Sequence, residues 1–299
     1  MNSAVFGPLC SFGSSVTWAI GSSVYSRLST SHSAFSVNFL RALIALPLFI
    51  LAAGITDFQS VRLSHWGWFS LSAICSYGIA DVCFFWSTRS LGVPGAIAIG
   101  SCFPMWTLLA GYLFDHEAVS FFQVLGLVIL SGGVSMVILS APQQSQTPGR
   151  RSWPLNPKLL RGIFLAVVTS ILWAANSYAV SKGGADVTAS AGNAIRMVMA
   201  LIFCTIFGRI FAPREPMLLP MAEVRKVWGL FALEAFGGSY LYVYGLSHSP
   251  LALGAALSSL APVISVPVAL AFGLERFSLY RTLGVTLVVL GVSLLTGYS

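Results

Sequence analysis

Four charged side chains fall inside long apolar segments, where a charge is costly to bury and marks a candidate functional residue. They are Arg41, Asp81, Arg196 and Glu234. If the segments are membrane helices rising about 1.5 Å per residue, Arg41 and Asp81 lie at similar depth below one membrane face, and Arg196 and Glu234 below the other. We predict two separate pairs, one in each leaflet, that act either as polar gates or as a site that binds amino and carboxylate groups and exchanges protons. The alternative is that each arginine extends to its interface and each acid packs against a neighbouring helix.

Aromatic and small polar side chains accompany these charges at helical spacing. Trp18, Ser22 and Tyr25 share one helix face, and Trp173 with Ser177 repeats its start. A deep Trp or Tyr needs a partner for its polar tip, which a wet cavity supplies. We predict a cavity for a solute with an apolar or aromatic body, with simple packing as the alternative. The other binding candidates are Tyr77, Asp81, Phe103, Trp106, Asn176, Tyr240 and Tyr244.

Two prolines occupy equivalent places in two repeated units of the chain, each three residues after a serine in an apolar segment. Pro104 and Pro262 each remove a backbone donor and are expected to kink their helices. Ser101 precedes the first proline, and Ser258 and Ser259 precede the second, so we predict that these serines line the cavity. A kink at equivalent places in two repeats suits a gate, whereas a static kink is the alternative.

The elements that must position these residues come as two copies of one unit. Residues 14–41 match residues 169–196 at an offset of 155, and residues 104–133 match 262–291 at an offset of 158. If each unit crosses a membrane an odd number of times, the second copy is inverted. The matched pairs include Trp18 and Trp173, Asn38 and Asn193, Arg41 and Arg196, Pro104 and Pro262, Gly126 and Gly284, and Gly133 and Gly291.

Composition places the chain in a membrane, because 56% of its 299 residues are hydrophobic and 8% are charged. Mean hydropathy is +0.83. We predict an all-α integral membrane protein of ten transmembrane helices arranged as an inverted 5+5 repeat. The first repeat is 1–140, the linker 141–158 and the second repeat 159–299. The predicted crossings are 4–27, 33–54, 66–90, 93–114, 119–140, 159–181, 187–211, 227–247, 249–274 and 277–298.

The net charge of +7 does not indicate a nucleic-acid partner, because the basic residues are spread over short loops. Connections after the odd-numbered crossings hold twelve Lys and Arg with their flanks, against two on the opposite side (Arg62 and Lys182). This bias predicts that both termini lie outside the cytoplasm.

Other classes of function find little support in the sequence. His and Cys lack metal-ligand spacing, so we expect neither a metal nor a cofactor. The phosphate-binding loop of an ATP-driven pump is absent. A membrane enzyme would need clustered catalytic groups, and the dense cluster Asp115, His116 and Glu117 is interpreted as a solvated turn. A solute channel requires a polar pore lining and does not require duplication into two inverted halves.

The stretches 100–138 and 258–295 resemble the EamA type of the drug/metabolite transporter superfamily. Each carries a small-polar run, a proline, an acidic turn and two glycines in its last helix. The resemblance implies a cavity surrounded by crossings 1–4 and 6–9, with crossings 5 and 10 outside. Their glycines favour packing within the chain over a homodimer seam. The family is commonly described with both termini in the cytoplasm, opposite to the charge bias.

Trp173 in its LWAANSY context and the aromatic-rich segments are most similar to the aromatic amino-acid exporter branch. We therefore expect a secondary exporter of aromatic or large neutral amino acids in the inner membrane, working by alternating access as a monomer or homodimer. Protons are the candidate coupling ion. The alternatives are export of a drug or another metabolite, such as a sugar phosphate, and a solute channel.

Overall fold

The computed structural model describes residues 3–116, 118–139, 157–264 and 279–296, and every regular element in these ranges is a helix. Most of the predicted linker 141–158, and Glu117, lie outside the described residues. The α-helices are α1 (Ser3–Ser31), α2 (Ala34–Asp57), α3 (Leu63–Ala73), α4 (Asp81–Gly100), α5 (Phe103–Asp115), α6 (Phe121–Leu139), α7 (Pro157–Gly183), α8 (Ala189–Phe211), α9 (Met221–Phe231), α10 (Ser239–Ser247), α11 (Leu251–Ser258) and α12 (Leu279–Thr296).

Several of these helices have the length and composition of membrane spans. Within the described residues, four stretches are long and apolar enough to cross a bilayer, and two further apolar helices are shorter. The prediction of an all-helical protein with apolar helices is therefore confirmed, whereas the number of ten crossings stays a prediction. The four stretches are Ala34–Ser60, Leu63–Val93, Pro157–Gly183 and Ala189–Phe211, and the shorter helices are Phe121–Gly133 and Leu251–Ile264.

Two π-helical segments interrupt long helices at equivalent places in the two copies. Ile74–Ala80 joins α3 to α4, and Ala232–Gly238 joins α9 to α10. Wide turns of this kind are frequent at functional sites. Asn38 donates to the carbonyl oxygen of Tyr77 over 2.7 Å, and its repeat partner Asn193 donates to that of Ser239 over 3.0 Å. The repeated asparagines thus tie α2 to the first π-segment and α8 to the start of α10, directly after the second π-segment.

A helix break, rather than the kink predicted at Pro104, separates α4 from α5. Helix α4 ends at Gly100 and α5 starts at Phe103, with Pro104 in the first turn. Proline is tolerated there because the first helical N–H groups have no partner in any case. The second copy breaks at the equivalent place: α11 ends at Ser258 and helix resumes at residue 261.

Helices α6 and α12 pack closely against each other through the repeated glycines. A Cβ on Gly133 would lie 2.7 Å from the carbonyl oxygen of Gly284. A Cβ on Gly291 would lie 2.6 Å from the carbonyl oxygen of Gly126. Both distances are too short for any side chain, so the glycines bring two backbones into direct contact. The interpretation of this stripe as packing within the chain is confirmed.

Candidate functional site

A cavity of about 110 Å³ lies between the helices of the two copies. Residues from α1, α2 and both π-segments contribute to its wall, and so do the two helix breaks. The predicted residues that line it are Trp18, Arg41, Tyr77, Asp81, Phe103, Trp173, Asn176, Arg196, Glu234, Ser258 and Ser259. The structure thus brings into one place all four charged residues selected from the sequence.

The repeated arginines owe their position to similar helix starts. Ser33 caps α2 by accepting from the N–H of Phe35 over 3.3 Å. Thr188 caps α8 by accepting from the N–H of Ala191 over 3.3 Å. Capping by Ser or Thr stabilises the first helical turn. Each arginine then follows its cap by the same number of residues, so both lie at the same position along their helices, and both are buried.

Arg41 is held between two carboxylates. Its Nη1 lies 2.6 Å from Oδ2 of Asp81, and its Nη2 lies 3.2 Å from Oε2 of Glu234. The hydroxyl of Tyr25 donates to the same Glu234 oxygen, and the Tyr25 ring lies 4.3 Å from the guanidinium carbon. All of these side chains are buried, with Arg41 only 3% exposed. Buried charges of this kind are tolerated because each is paired and hydrogen-bonded.

The prediction of two separate ion pairs is half wrong. Arg41 pairs with Asp81 as predicted, but Glu234 pairs with Arg41 and not with Arg196. The depth estimate counted residues from the loops, and it assumed that the helices of each copy contact only helices of the same copy. Glu234 lies in a π-segment that packs against α1 and α2, so it crosses to the first copy.

Among the described residues, the hydrogen-bond partners of Arg196 are all neutral. Its Nε donates to the hydroxyl of Ser72 over 2.8 Å, and its Nη1 donates to the amide oxygen of Asn193 over 2.9 Å. Its Nη2 donates to the amide oxygen of Asn176 over 3.3 Å. The side chain is 3% exposed. The Tyr77 ring lies between the two arginines, 4.8 Å from Arg41 and 5.8 Å from Arg196.

Three aromatic rings form one wall of the cavity. Trp173 donates its indole N–H to Oδ1 of Asp81 over 3.0 Å. The Trp18 ring meets the Trp173 ring edge to face at 5.7 Å, and Phe103 meets it in the same way at 6.2 Å. Aromatic pairs of this geometry add to the energy of burial. This wall presents apolar ring surface to the cavity, while the indole nitrogen of Trp173 is turned toward the carboxylate of Asp81.

Several predicted residues lie away from the cavity. Trp106 faces outward and is 39% exposed, because the helix break makes Phe103 the residue of α5 that enters the cavity. Tyr240 and Tyr244 do share a helix face, and their rings stack at 6.1 Å, but neither lines the cavity. Ser22, Ser177, Pro104 and Pro262 likewise do not line it.

Tyr242 is the main residue that sequence reasoning missed. It lies between the two predicted tyrosines on α10, on the other face of that helix, and it lines the cavity. It accepts from the amide nitrogen of Asn176 over 2.8 Å and bonds the hydroxyl of Ser177 over 2.7 Å. Sequence reasoning selected Tyr240 and Tyr244 because their spacing of four places them on one helix face, but α10 turns the face of Tyr242 toward the cavity. Ser101, predicted together with Ser258 and Ser259, also lines the cavity. The other lining residues were not predicted and are Ser14, Ser76, Gly238, Ser239 and Ala261.

Asp115 belongs to a structural contact rather than to a freely solvated turn. Lys182 Nζ lies 2.6 Å from its Oδ1, and Tyr178 donates to the same oxygen over 3.0 Å. The contact joins the end of α5 to the end of α7. No group of three His, Cys, Asp or Glu able to hold a metal occurs among the described residues.

The sequence model of the EamA-like transporter family matches residues 5–139 and again residues 160–297. The chain belongs to the EamA-like transporter family. This EamA-like protein is therefore a multi-pass membrane transporter. The resemblance to the EamA type of the drug/metabolite transporter superfamily is confirmed at that level.

Two known proteins are similar over nearly the whole chain. An uncharacterized transporter of Archaeoglobus fulgidus is 22% identical over 291 residues, which cover 96% of either chain. One solved crystal structure is 15% identical, with a TM-score of 0.75, and covers 98% of this chain and 97% of that one. The second likeness supports the fold of this EamA-like chain.

Proposed function

We propose that this EamA-like protein is a secondary transporter that exports aromatic or large neutral amino acids across the inner membrane by alternating access. The observation that carries the proposal is the central cavity, in which aromatic rings meet buried charges of both signs. An amino acid of this class has an apolar body and a zwitterionic head. Aromatic walls suit the first, and charged or hydrogen-bonding groups suit the second.

Alternating access is supported by the paired features around the cavity. The two π-segments and the two helix breaks occur at equivalent places in the two copies, and residues from each of them line the cavity. In transporters built from inverted repeats, irregular helix segments at the repeat interface form the binding site. We propose ten crossings, with the second five inverted relative to the first.

Protons are the coupling ion that the Arg41 cluster favours. Two carboxylates and one guanidinium leave an excess of one negative charge when both acids are ionised, in a site almost closed to water. A proton on either Asp81 or Glu234 removes that excess negative charge. We therefore propose that this cluster carries the coupling proton as the cavity changes the side to which it opens.

The geometry gives less support to a phosphate-bearing substrate. Such a group would require several free cations, but the cavity holds two arginines and one of them is already neutralised. A channel requires an open polar pore, whereas hydrogen bonds link the copies across the centre of the molecule, as between Trp173 and Asp81.

Transport into proteoliposomes tests the proposal. Purified protein is reconstituted, and uptake of labelled phenylalanine, tryptophan, leucine, lysine and glutamate is measured with and without a proton gradient. We expect concentrative uptake of the first three, driven by the gradient. Uptake that only equilibrates the solute would indicate a channel, and failure of all five would reject amino acids as substrates.

Replacement of the acids then tests the coupling. Asp81→Asn and Glu234→Gln each remove one carboxylate and preserve size, so we expect substrate to equilibrate but no longer to accumulate. Gradient-driven accumulation at the wild-type level in both variants contradicts the role of this cluster in coupling.

A further inference from the structure

The two repeated arginines each bind the equivalent asparagine of their own copy, but their other hydrogen-bond partners differ. Arg41 donates to Asn38 over 2.9 Å, and Arg196 donates to Asn193 over 2.9 Å, so the copies are alike to this point. Beyond it, Arg41 contacts two carboxylates. Arg196 contacts a hydroxyl and an amide instead, from Ser72 and Asn176.

This difference leaves a buried positive charge without a counter-charge in contact. Neutral oxygens satisfy hydrogen bonds but do not cancel a charge, and an unpaired buried ion is costly. A guanidinium has five N–H groups. Each nitrogen of Arg196 donates to one acceptor, so a second N–H on Nη1 and on Nη2 has no acceptor among the described residues.

Arg196 also faces the cavity from the side where amide and phenol groups gather. Asn176 and Tyr242 line the cavity beside it, and the Tyr242 ring lies 5.8 Å from its guanidinium carbon. The two carboxylates that line the same cavity contact Arg41 instead. We therefore expect an uneven electrostatic potential in the cavity, positive near Arg196 and neutral to negative near Arg41.

We infer that Arg196 is the carboxylate anchor of the cavity and binds the acid group of the transported solute through its terminal nitrogens. The inference rests on the proposed function and deepens it, because it divides two equivalent arginines into one for the solute and one for the acid cluster. A carboxylate matches two parallel N–H groups of a guanidinium better than a single-atom anion does. A solute lacking this group leaves the charge of Arg196 uncompensated and binds more weakly.

Binding of two matched pairs of probes tests the assignment. Benzoate is compared with benzamide, and phenylalanine with phenylalaninamide, in a buffer without other carboxylates. Quenching of tryptophan fluorescence reports occupancy, because Trp18 and Trp173 line the cavity. In the wild type we expect each acid to bind about tenfold to a hundredfold more tightly than its amide, as for a hydrogen bond to a charged group.

Three variants remove or occupy the anchor. Arg196→Gln abolishes the preference for the acid, and Arg196→Lys retains part of it. Asn176→Asp is almost identical in size to the native residue and places a carboxylate on Arg196, so we expect it to remove most of the preference for the acid over the amide. Asn176→Ser is its control, since it removes the amide without adding a charge and should keep the preference.

The outcomes separate this inference from the proposed function. If amino acids are transported but Asn176→Asp and Arg196→Gln keep the preference for the acid, the anchor is wrong and the transporter assignment stands. If no amino acid is transported but benzoate exceeds benzamide only when Arg196 is free, the anchor stands and the substrate is another carboxylate. Equal binding within both pairs, or no binding of any probe to the wild type, overturns the anchor.

Discussion

The two copies of the repeat are symmetric where α6 packs against α12, and they are asymmetric in the cavity. In the outer pair, Gly133 approaches the backbone of Gly284 and Gly291 approaches that of Gly126, at nearly equal distances. In the cavity, Arg41 and Arg196 each donate to the equivalent asparagine of their own copy, but their remaining partners differ. A contact that depends only on backbone separation is satisfied by the same residue in both copies. A site that binds an asymmetric solute gains from two unlike halves.

Removal of Arg41 is expected to have the largest effect on stability. Arg41→Gln leaves Asp81 and Glu234 buried beside each other without a counter-charge, which costs about 3–5 kcal/mol. Arg196→Gln leaves neutral groups behind and costs about 1–2 kcal/mol. Denaturant titration in detergent compares the two variants. Equal losses would show that the charge difference between the halves has no energetic counterpart.

A side chain in the outer pair is expected to have the next largest effect. Gly133→Leu forces α6 away from α12, because the new Cβ would meet the Gly284 carbonyl and the Val288 N–H. Overpacking of this kind costs about 1–3 kcal/mol. Gly132 is the control, since a Cβ there meets no atom within 4 Å. Similar titration midpoints for Gly132→Leu and Gly133→Leu would contradict close packing of this pair.

Loss of the indole N–H of Trp173 is a smaller perturbation, confined to the cavity. Trp173→Phe removes the hydrogen bond to Asp81, which keeps Arg41 as a partner, so we expect a loss of about 1.5 kcal/mol together with slower transport. Trp106→Phe is the matched control on the outer surface and should leave both unchanged. A transport rate in Trp106→Phe as low as in Trp173→Phe would indicate a general aromatic requirement.

The smallest effect is expected at the partly exposed Lys182–Asp115 contact. Lys182→Met retains the apolar stem and removes the charge, and such pairs contribute less than about 1 kcal/mol. The loss should shrink further at high salt, because exposed charges are screened. A loss that equals that of Arg41→Gln would mean that this contact, rather than the cavity, holds the copies together.

Sequence reasoning found the residue types of the site and failed where rotation or contact between copies decides. Burying a charge is costly, so Arg41, Asp81, Arg196 and Glu234 stood out against their apolar surroundings. The pairing of Glu234 with Arg41 could not be derived, because it joins helices from different copies. Tyr242 was missed because a π-segment precedes α10 and shifts the helix phase on which periodicity arguments depend. The helix break at Ser101 was anticipated only as a kink, since a proline two or three residues later fits either form.

The break between α4 and α5 also supplies a natural reporter of conformation. Cys102 lies within it and is half-buried, while the other four cysteines of the chain are buried. A thiol-reactive dye should therefore label this position first, without any engineered cysteine. The neighbouring Ser101 and Phe103 line the cavity, so we expect the labelling rate to report the opening and closing of the site. This rate can be measured as substrate concentration or pH is changed.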